Sequence, residues 1–209
     1  MLPQEIEIKL DLQNEENYFK IIRRFEIIEK PKRQENIFFD SGNLDLSQNG
    51  WALRLRKEKD KSCFTIKGIT ADSSGGMAIR DEIEVSISDE TAQTYIENGL
   101  QLENIPDEIA HIVLPILDTN ELFRRLRFVN ERYRVNYSTG QTDLIFEIDK
   151  TKYADGTIDY ELEVELENRL LYQKVLDEIS SFLKSLQIDT VFQKQSKFDR
   201  ALLRQNVSI

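Results

Sequence analysis

From residue 5 to residue 12 the chain reads Glu-Ile-Glu-Ile-Lys-Leu-Asp-Leu, charged and apolar residues alternating without a break. A period of two is that of a strand, so Glu5, Glu7, Lys9 and Asp11 share one face and Ile6, Ile8, Leu10 and Leu12 the other. One such strand alone is ordinary, half buried with its charges in water. The pattern recurs along the chain. In residues 51–58, Trp51, Leu53 and Leu55 oppose Arg54, Arg56 and Glu58; in 63–67, Phe64 and Ile66 oppose Thr65 and Lys67, with a hairpin expected across Asp60-Lys61. Residues 80–87 set Arg80, Glu82 and Glu84 against Ile83, Val85 and Ile87, and residues 130–137 set Arg132 and Arg134 against Tyr133, Val135 and Tyr137. Residues 143–149 carry Glu147 and Asp149 opposite Leu144, Phe146 and Ile148, and residues 160–167 place Glu161, Glu163, Glu165 and Glu167 on one face. A short strand is also expected at 35–40, through Ile37, Phe38 and Phe39.

Helical spacing appears between the strands. Residues 14–28 carry Tyr18, Phe19, Ile21, Ile22 and Phe25, with Asn14 or Asn17 as the cap and Pro31 closing the region. Residues 89–100 and 105–117 read as helices broken at Pro106, a further short helix is expected at 119–126, and residues 170–186 form a strong amphipathic helix. Turn formers fill 41–50 and Ala154-Asp155-Gly156. The Ser73-Ser74-Gly75-Gly76 run reads as a hairpin connection, because no strand-to-helix motif surrounds it to make a phosphate cradle. No Pro, Gly or Ser linker divides the chain, so one domain over residues 1–209 is expected.

The segregated charges pose a physical problem. Side chains two apart on a strand lie about 7 Å apart, and opposed neighbours on paired strands about 4.5 to 5.5 Å. Like charges at about 4 Å repel by about 4 kcal/mol at an effective dielectric of 20. Acidic rows held close therefore need counter-charges, either facing Arg and Lys rows or divalent ions. An antiparallel sheet closed into a barrel supplies both, with the charged parity inside and the apolar parity outside beneath the helices, the inverse of a barrel packed with apolar side chains. Carboxylates suit Mg²⁺ or Mn²⁺, and Arg and Lys suit phosphate oxygens. A ligand that needs both is a metal-bound polyphosphate.

Composition narrows the setting. The chain has 209 residues, 40% hydrophobic and 32% charged, with a net charge of −10. That balance disfavours a general nucleic-acid or anionic-membrane binder, although it does not constrain a local pocket. Cys63 is the one cysteine and His111 the one histidine, which excludes an intrachain disulfide and a Cys-based zinc site and leaves a His-based centre or triad without support. No leader-like segment opens the sequence and no apolar run is long enough to span a bilayer, so a cytoplasmic setting is expected.

Taken in order, these segments resemble the CYTH superfamily of triphosphate tunnel metalloenzymes. The resemblance runs through Glu5-x-Glu7-x-Lys9, Phe39-Asp40, the Gly50-Trp51-Ala52-Leu53-Arg54-Leu55-Arg56 segment and Thr65-Ile66-Lys67. It continues through Arg80 with Glu82 and Glu84, Arg132, Asp149 with Tyr153, the Glu161-Leu162-Glu163-Val164-Glu165 strand and the tail from Lys194 to Arg200. It implies that Glu5, Glu7, Asp149, Glu161 and Glu163 bind Mg²⁺ or Mn²⁺. It implies too that Lys9, Arg54, Arg56, Lys67, Arg80 and Arg132, with Lys194 and Lys197, grip a small-molecule triphosphate. Glu5, Glu7, Lys9, Arg56 and Glu163 are then expected to act in catalysis, Glu5 or Glu163 by orienting a water if a second metal does not.

Glu82 and Glu84 are left between metal binding and orienting the arginines, and Arg134 and Glu165 between the site and salt bridges. The family's chemistry allows hydrolysis of inorganic, thiamine or nucleoside triphosphates, or cyclisation of ATP to cyclic AMP. The layout looks most like the small bacterial inorganic triphosphatases. Asn36 stands where some cyclase-type members carry a His, and Trp51 falls on the apolar face, as packing rather than a stacking platform. A non-catalytic polyphosphate-binding module would need the basic rows but not both Glu-x-Glu strands. A plain β domain with exposed charge is the remaining alternative. Oligomeric state is not legible.

Overall fold

The computed structural model describes residues 2–59, 61–68, 77–119, 121–138 and 142–205. Eight strands run β1 (Gln4–Asp11), β2 (Lys32–Asp40), β3 (Trp51–Lys57), β4 (Ser62–Gly68), β5 (Met77–Ile87), β6 (Phe123–Ser138), β7 (Asp143–Lys152) and β8 (Ile158–Glu165). All neighbours pair antiparallel, in the order β1-β5-β4-β3-β2-β6-β7-β8, and the last strand returns to the first to close the barrel. Closure gives each described strand a neighbour on both sides, so no strand is an edge.

The two parities separate as the alternation demands. Ile8 and Leu10 of β1, Leu12 just beyond it, Phe146 and Ile148 of β7 and Leu162 and Val164 of β8 point outward into one apolar layer. Helices α1 (Glu15–Arg24) and α5 (Tyr172–Ser185) cover that layer with Tyr18, Ile21, Ile179 and Leu183. A second layer joins Leu53 and Leu55 of β3 and Phe64 and Ile66 of β4 to α3 (Asp89–Asn98) and α4 (Asp107–Val113). Each buried Leu, Ile or Phe contributes about 1.5–3 kcal/mol, so the apolar core lies outside the barrel and leaves the interior free for charge. Trp51 packs against the second layer.

Caps and turns follow from local chemistry. Asn14 caps α1 by accepting from the Asn17 amide, and Gly156, at φ 85°, closes the β7–β8 turn where a Cβ is disfavoured. Within 41–50 the turn formers include a short helix, α2 (Asp45–Gln48), pinned by Asp40, whose carboxylate accepts from the Ser41, Leu46 and Ser47 amides.

Two expectations are corrected. The helix expected at 119–126 is replaced by β6, which begins at Phe123 and pairs with β2. Leu122 and Leu126 are four apart and imitate a helix, but a register shift at Phe38/Phe39 lets Leu126 stay buried in a strand, and pairing to β2 prevails. The tail forms α6 (Lys197–Gln205), which was not anticipated. Its Phe198, Ala201 and Leu202 pack on Phe38, Leu126, Phe128 and Tyr153 and close part of the tunnel wall. Residues 73–76 and Asp60 lie outside the described residues; the flanks of the expected hairpin are joined by the Glu58 amide donating to the Lys61 carbonyl at 2.9 Å.

Candidate active site

The barrel encloses a cavity of about 700 Å³, within the range of small-molecule sites. Although the chain as a whole is acidic, Lys and Arg side chains on this lining match the carboxylates. They are not mixed at random. Strands β7, β8 and β1 supply Glu147, Glu163, Glu165, Glu5 and Glu7, whereas β3 supplies Arg54 and Arg56.

On the acidic wall Glu5, Glu7, Glu147 and Glu163 each pair with a cation. Glu7 lies 2.5 Å from Arg80 and 3.1 Å from Lys9, and Lys9 lies 3.0 Å from Glu163. Glu5 pairs with Lys67 at 2.9 Å, and Lys67 reaches Glu82 at 2.7 Å. Arg132 donates to both oxygens of Asp149 and, at 2.6 Å, to Glu163, and it also pairs with Glu147. Burial raises the Asp149 and Glu163 carboxyls, but Lys197 and Arg132, with Lys9 beside Glu163, outweigh it and hold both below the usual carboxylate range. Burial likewise opposes ionisation of Glu82, which Lys67 and Arg54 overcome. Glu147 and Glu165 go the other way. Burial raises both, reinforced at Glu147 by Glu163 and Asp149 and at Glu165 by Glu5 and Glu7.

The basic wall is different. The Arg56 Nε donates at 3.0 Å to Asn36 Oδ1, a neutral partner, and Arg54 donates to Thr65 Oγ1 at 3.0 Å with Glu82 only at 4.0 Å. Burial and the like charges of Arg54 and Arg132 push the Arg56 guanidinium down to about 10, still protonated at neutral pH. The Arg54 Nε, buried, has no hydrogen-bond partner among the described residues. Two guanidiniums turned into one cavity, with no carboxylate of the described residues nearer than Glu82 at 4.0 Å from Arg54, form a preorganised site for an anion with several oxygens.

Most of the residues expected at the site are brought together here, and three differ in position. Asp149 and Glu161 are 0% and 1% exposed and lie deeper than the cavity lining. Lys194 is exposed and does not line the cavity, because its segment runs as an extended strap beside β1, with the Gln193 amide donating to the Lys9 carbonyl. Lys197, one turn on, reaches in from the first residue of α6 and contacts Asp149, Glu161 and Glu163.

Some contributors were named in the sequence without a role at the site. Arg200 donates to Glu161 at 2.8 Å and to the Tyr153 hydroxyl at 3.0 Å. Glu147 joins Asp149 around Arg132, and the same-face spacing of two had already marked it. Asn36 holds Arg56. Arg200 stands three residues after Lys197, the helical spacing that would have paired them had α6 been anticipated. Arg134 is half exposed and pairs with Glu147 at 3.1 Å, a salt bridge at the cavity rim.

Asp149, Glu161 and Glu163 place ligand oxygens within 4.8 Å of one another. Three carboxylates are hard oxygen donors, suited to Mg²⁺ or Mn²⁺. Residues 3–195 match the CYTH domain model. The chain belongs to the CYTH family.

CYTH relatives are similar in both sequence and fold. A Methanocaldococcus jannaschii protein named as a candidate adenylate cyclase is 26% identical over 194 residues, 91% of this chain and 94% of its own length. A Hippeastrum protein first assigned as an adenylyl cyclase, and described as having a dominant triphosphatase activity, superposes with a TM-score of 0.84 at 25% identity, over 96% of each chain. A Bacillus halodurans protein, also named as a candidate adenylate cyclase, shares the fold at a TM-score of 0.70 and 24% identity, over 94% of this chain and 97% of that one.

Proposed function

We propose that this CYTH protein is a divalent-metal-dependent triphosphatase that removes the terminal phosphate of a triphosphate-containing substrate, most favourably inorganic tripolyphosphate, and that the whole chain acts as one catalytic domain. The observation that carries this is Arg56, turned into the cavity with a neutral partner and set against Arg54 and Arg132. A buried cation that repels its neighbours is costly unless it awaits an anion.

Arg54 and Arg56 hold the phosphate chain from one wall, with Lys67 and Arg80 beside them, and Arg132 and Lys9 close it from the other. These cations are fixed in place before substrate arrives, so they stabilise charge that develops on the transferring phosphoryl oxygens without reorganising. Glu5, Glu7 and Glu163 border the cavity and are the carboxylates that would hold Mg²⁺ or Mn²⁺, with Asp149 and Glu161 behind Glu163. When bound, such an ion neutralises phosphate oxygens and lowers the pKa of a coordinated water. Glu5, partly exposed to the cavity, is placed to orient the attacking water. Inorganic tripolyphosphate is favoured over an organic triphosphate because the rings that reach the cavity, Phe38, Phe128 and Phe198, are packed on one another at centroid distances of 5.6 and 4.9 Å. A cytoplasmic small-molecule hydrolase follows from that reading.

The named relatives keep cyclisation of ATP as the second possibility. Phosphate release from tripolyphosphate, thiamine triphosphate and ATP, each with Mg²⁺, Mn²⁺ or EDTA, tests the proposal, with cyclic AMP measured in the ATP arm. Metal-dependent release fastest from tripolyphosphate is expected. Cyclic AMP and pyrophosphate from ATP, with tripolyphosphate left intact, would replace the triphosphatase by a cyclase.

A further inference from the structure

Lys197 occupies a position that its role as a phosphate contact does not explain. Its ammonium lies 2.6 Å from Glu161, 2.8 Å from Glu163 and 3.0 Å from Asp149, the three carboxylates whose oxygens converge closely enough to share one cation. Arg132 holds Asp149 and Glu163 from one side, and Arg200 holds Glu161 from the other. With Lys9 also on Glu163, three carboxylates thus already meet four cations. A divalent ion added to that group would bring a charge excess into a buried place, and it would have to take the oxygens the ammonium now holds.

The backbone that presents Lys197 is fixed independently of this contact. Ser196 and Asp199 form a reciprocal cap, the Asp199 amide donating to Ser196 Oγ at 3.1 Å and the Ser196 amide donating to the Asp199 carboxylate at 3.2 Å. Arg200 anchors the same turn to Tyr153. The four-carbon stem of Lys197 can therefore swing while α6 stays seated, and because Lys197 also borders the cavity, an anion there offers its ammonium an alternative partner.

Building on the proposed use of a metal-bound triphosphate, we infer that Lys197 is an internal competitor for the divalent ion. With the tunnel empty it closes the Asp149–Glu161–Glu163 group to metal. Arrival of a phosphate chain draws the ammonium into the cavity and opens that group, so metal loading there follows substrate. Lys197 is in this sense a positioning residue that sets how many ions the resting protein holds.

Mn²⁺ titration of the whole chain without phosphate, followed by calorimetry and by electron paramagnetic resonance, tests this directly. Wild type is compared with Lys197→Gln, which keeps a hydrogen-bond donor, with Glu161→Gln, and with the double variant. Lys197→Gln is expected to gain one Mn²⁺ per chain or to bind Mn²⁺ at least about 10-fold more tightly, and the double variant to lose that gain. Glu161→Gln alone, in which Lys197 still occupies the group, is expected to bind Mn²⁺ as wild type does. Equal Mn²⁺ binding by wild type and Lys197→Gln would overturn the inference while leaving metal-dependent phosphate release untouched. Weakened Mn²⁺ binding in Glu161→Gln would overturn it too, even were Lys197→Gln unable to fold. Absence of metal-dependent phosphate release from wild type would instead remove the triphosphatase on which the inference rests.

Discussion

Arg56 and Arg132 carry the same side chain in the same tunnel, and their truncation to Ala is expected to have opposite consequences. Arg132 is surrounded by Asp149, Glu147 and Glu163. Removing one partner of a buried ion pair costs about 3–5 kcal/mol, because the carboxylates it leaves are uncompensated. For a chain of this size each kcal/mol moves the thermal midpoint by about 2–4 °C, so Arg132→Ala should lower Tm by about 6–20 °C. Among the described residues Arg56 has Asn36 as its hydrogen-bond partner. Its loss forfeits a hydrogen bond of about 1.5–3 kcal/mol. It also relieves the burial and the repulsion from Arg54 and Arg132 that push its pKa down to about 10, together about 3 kcal/mol at about 1.4 kcal/mol per tenfold. The two effects cancel to within about 1–2 kcal/mol, so Tm should stay nearly constant or rise. Binding should separate the other way for Arg56, since a charge-assisted contact to phosphate is worth about 1.5–3 kcal/mol, or roughly 10- to 100-fold in Kd. Differential scanning fluorimetry and calorimetric titration with tripolyphosphate read both quantities. An Arg56→Ala protein that melts as early as Arg132→Ala, or that binds tripolyphosphate like wild type, would refute the assignment of Arg56 as an anion-facing cation.

Further outcomes follow from the same structure. Asp149, Glu163 and Glu82 have folded pKa values held below their unfolded ones, so their stabilisation is complete above about pH 4.5 and is lost as pH falls through the depressed values. Glu147 and Glu165 are raised and therefore stabilise slightly on protonation, so Tm should hold or rise from pH 7 to about 5 and fall only below about pH 4, whereas a steady decline from pH 7 to 5 would count against the pairing described. Phe146→Ala empties a fully buried site stacked on Tyr137 at 4.6 Å, and should cost about 3–5 kcal/mol, read as a Tm loss of about 6–20 °C, with phosphate release at 20 °C retained because the ring lies outside the tunnel. Tripolyphosphate with Mn²⁺ at 100 times Kd should raise stability by about 2.7 kcal/mol, an upward shift of about 5–11 °C, and the shift should vanish with EDTA if metal and anion bind together.

Much of this architecture was legible in the order of the residues. Alternation fixed both which residues form strands and which face each presents, because a one-residue slip would have sent Glu161 and Glu163 into the apolar layer and Leu162 and Val164 into the tunnel. The acidic and basic walls were legible as rows for the same reason. The pairing of those rows was not. That Lys9 meets Glu163, and that the strands bearing Arg56 close against those bearing Arg132, depends on β1 lying next to β8 and β2 next to β6, contacts between segments far apart in the chain. The start of β6 was hidden because its register shift breaks the period on which strand recognition depends. The role of α6 was hidden because a nine-residue helix has little intrinsic signal, and its packing on Phe38 and Phe128 supplies what propensity does not.

The central claim, that the tunnel holds a metal-bound triphosphate between its two walls, is tested most directly by a crystal structure with Mn²⁺ and a non-hydrolysable tripolyphosphate analogue, with anomalous data collected for manganese. Phosphate density between Arg54, Arg56 and Lys67, with a manganese peak against Glu5, Glu7 or Glu163, is the predicted result. Analogue and manganese found only on the outer surface, with Arg56 still bound to Asn36 in a tunnel holding water alone, would contradict it.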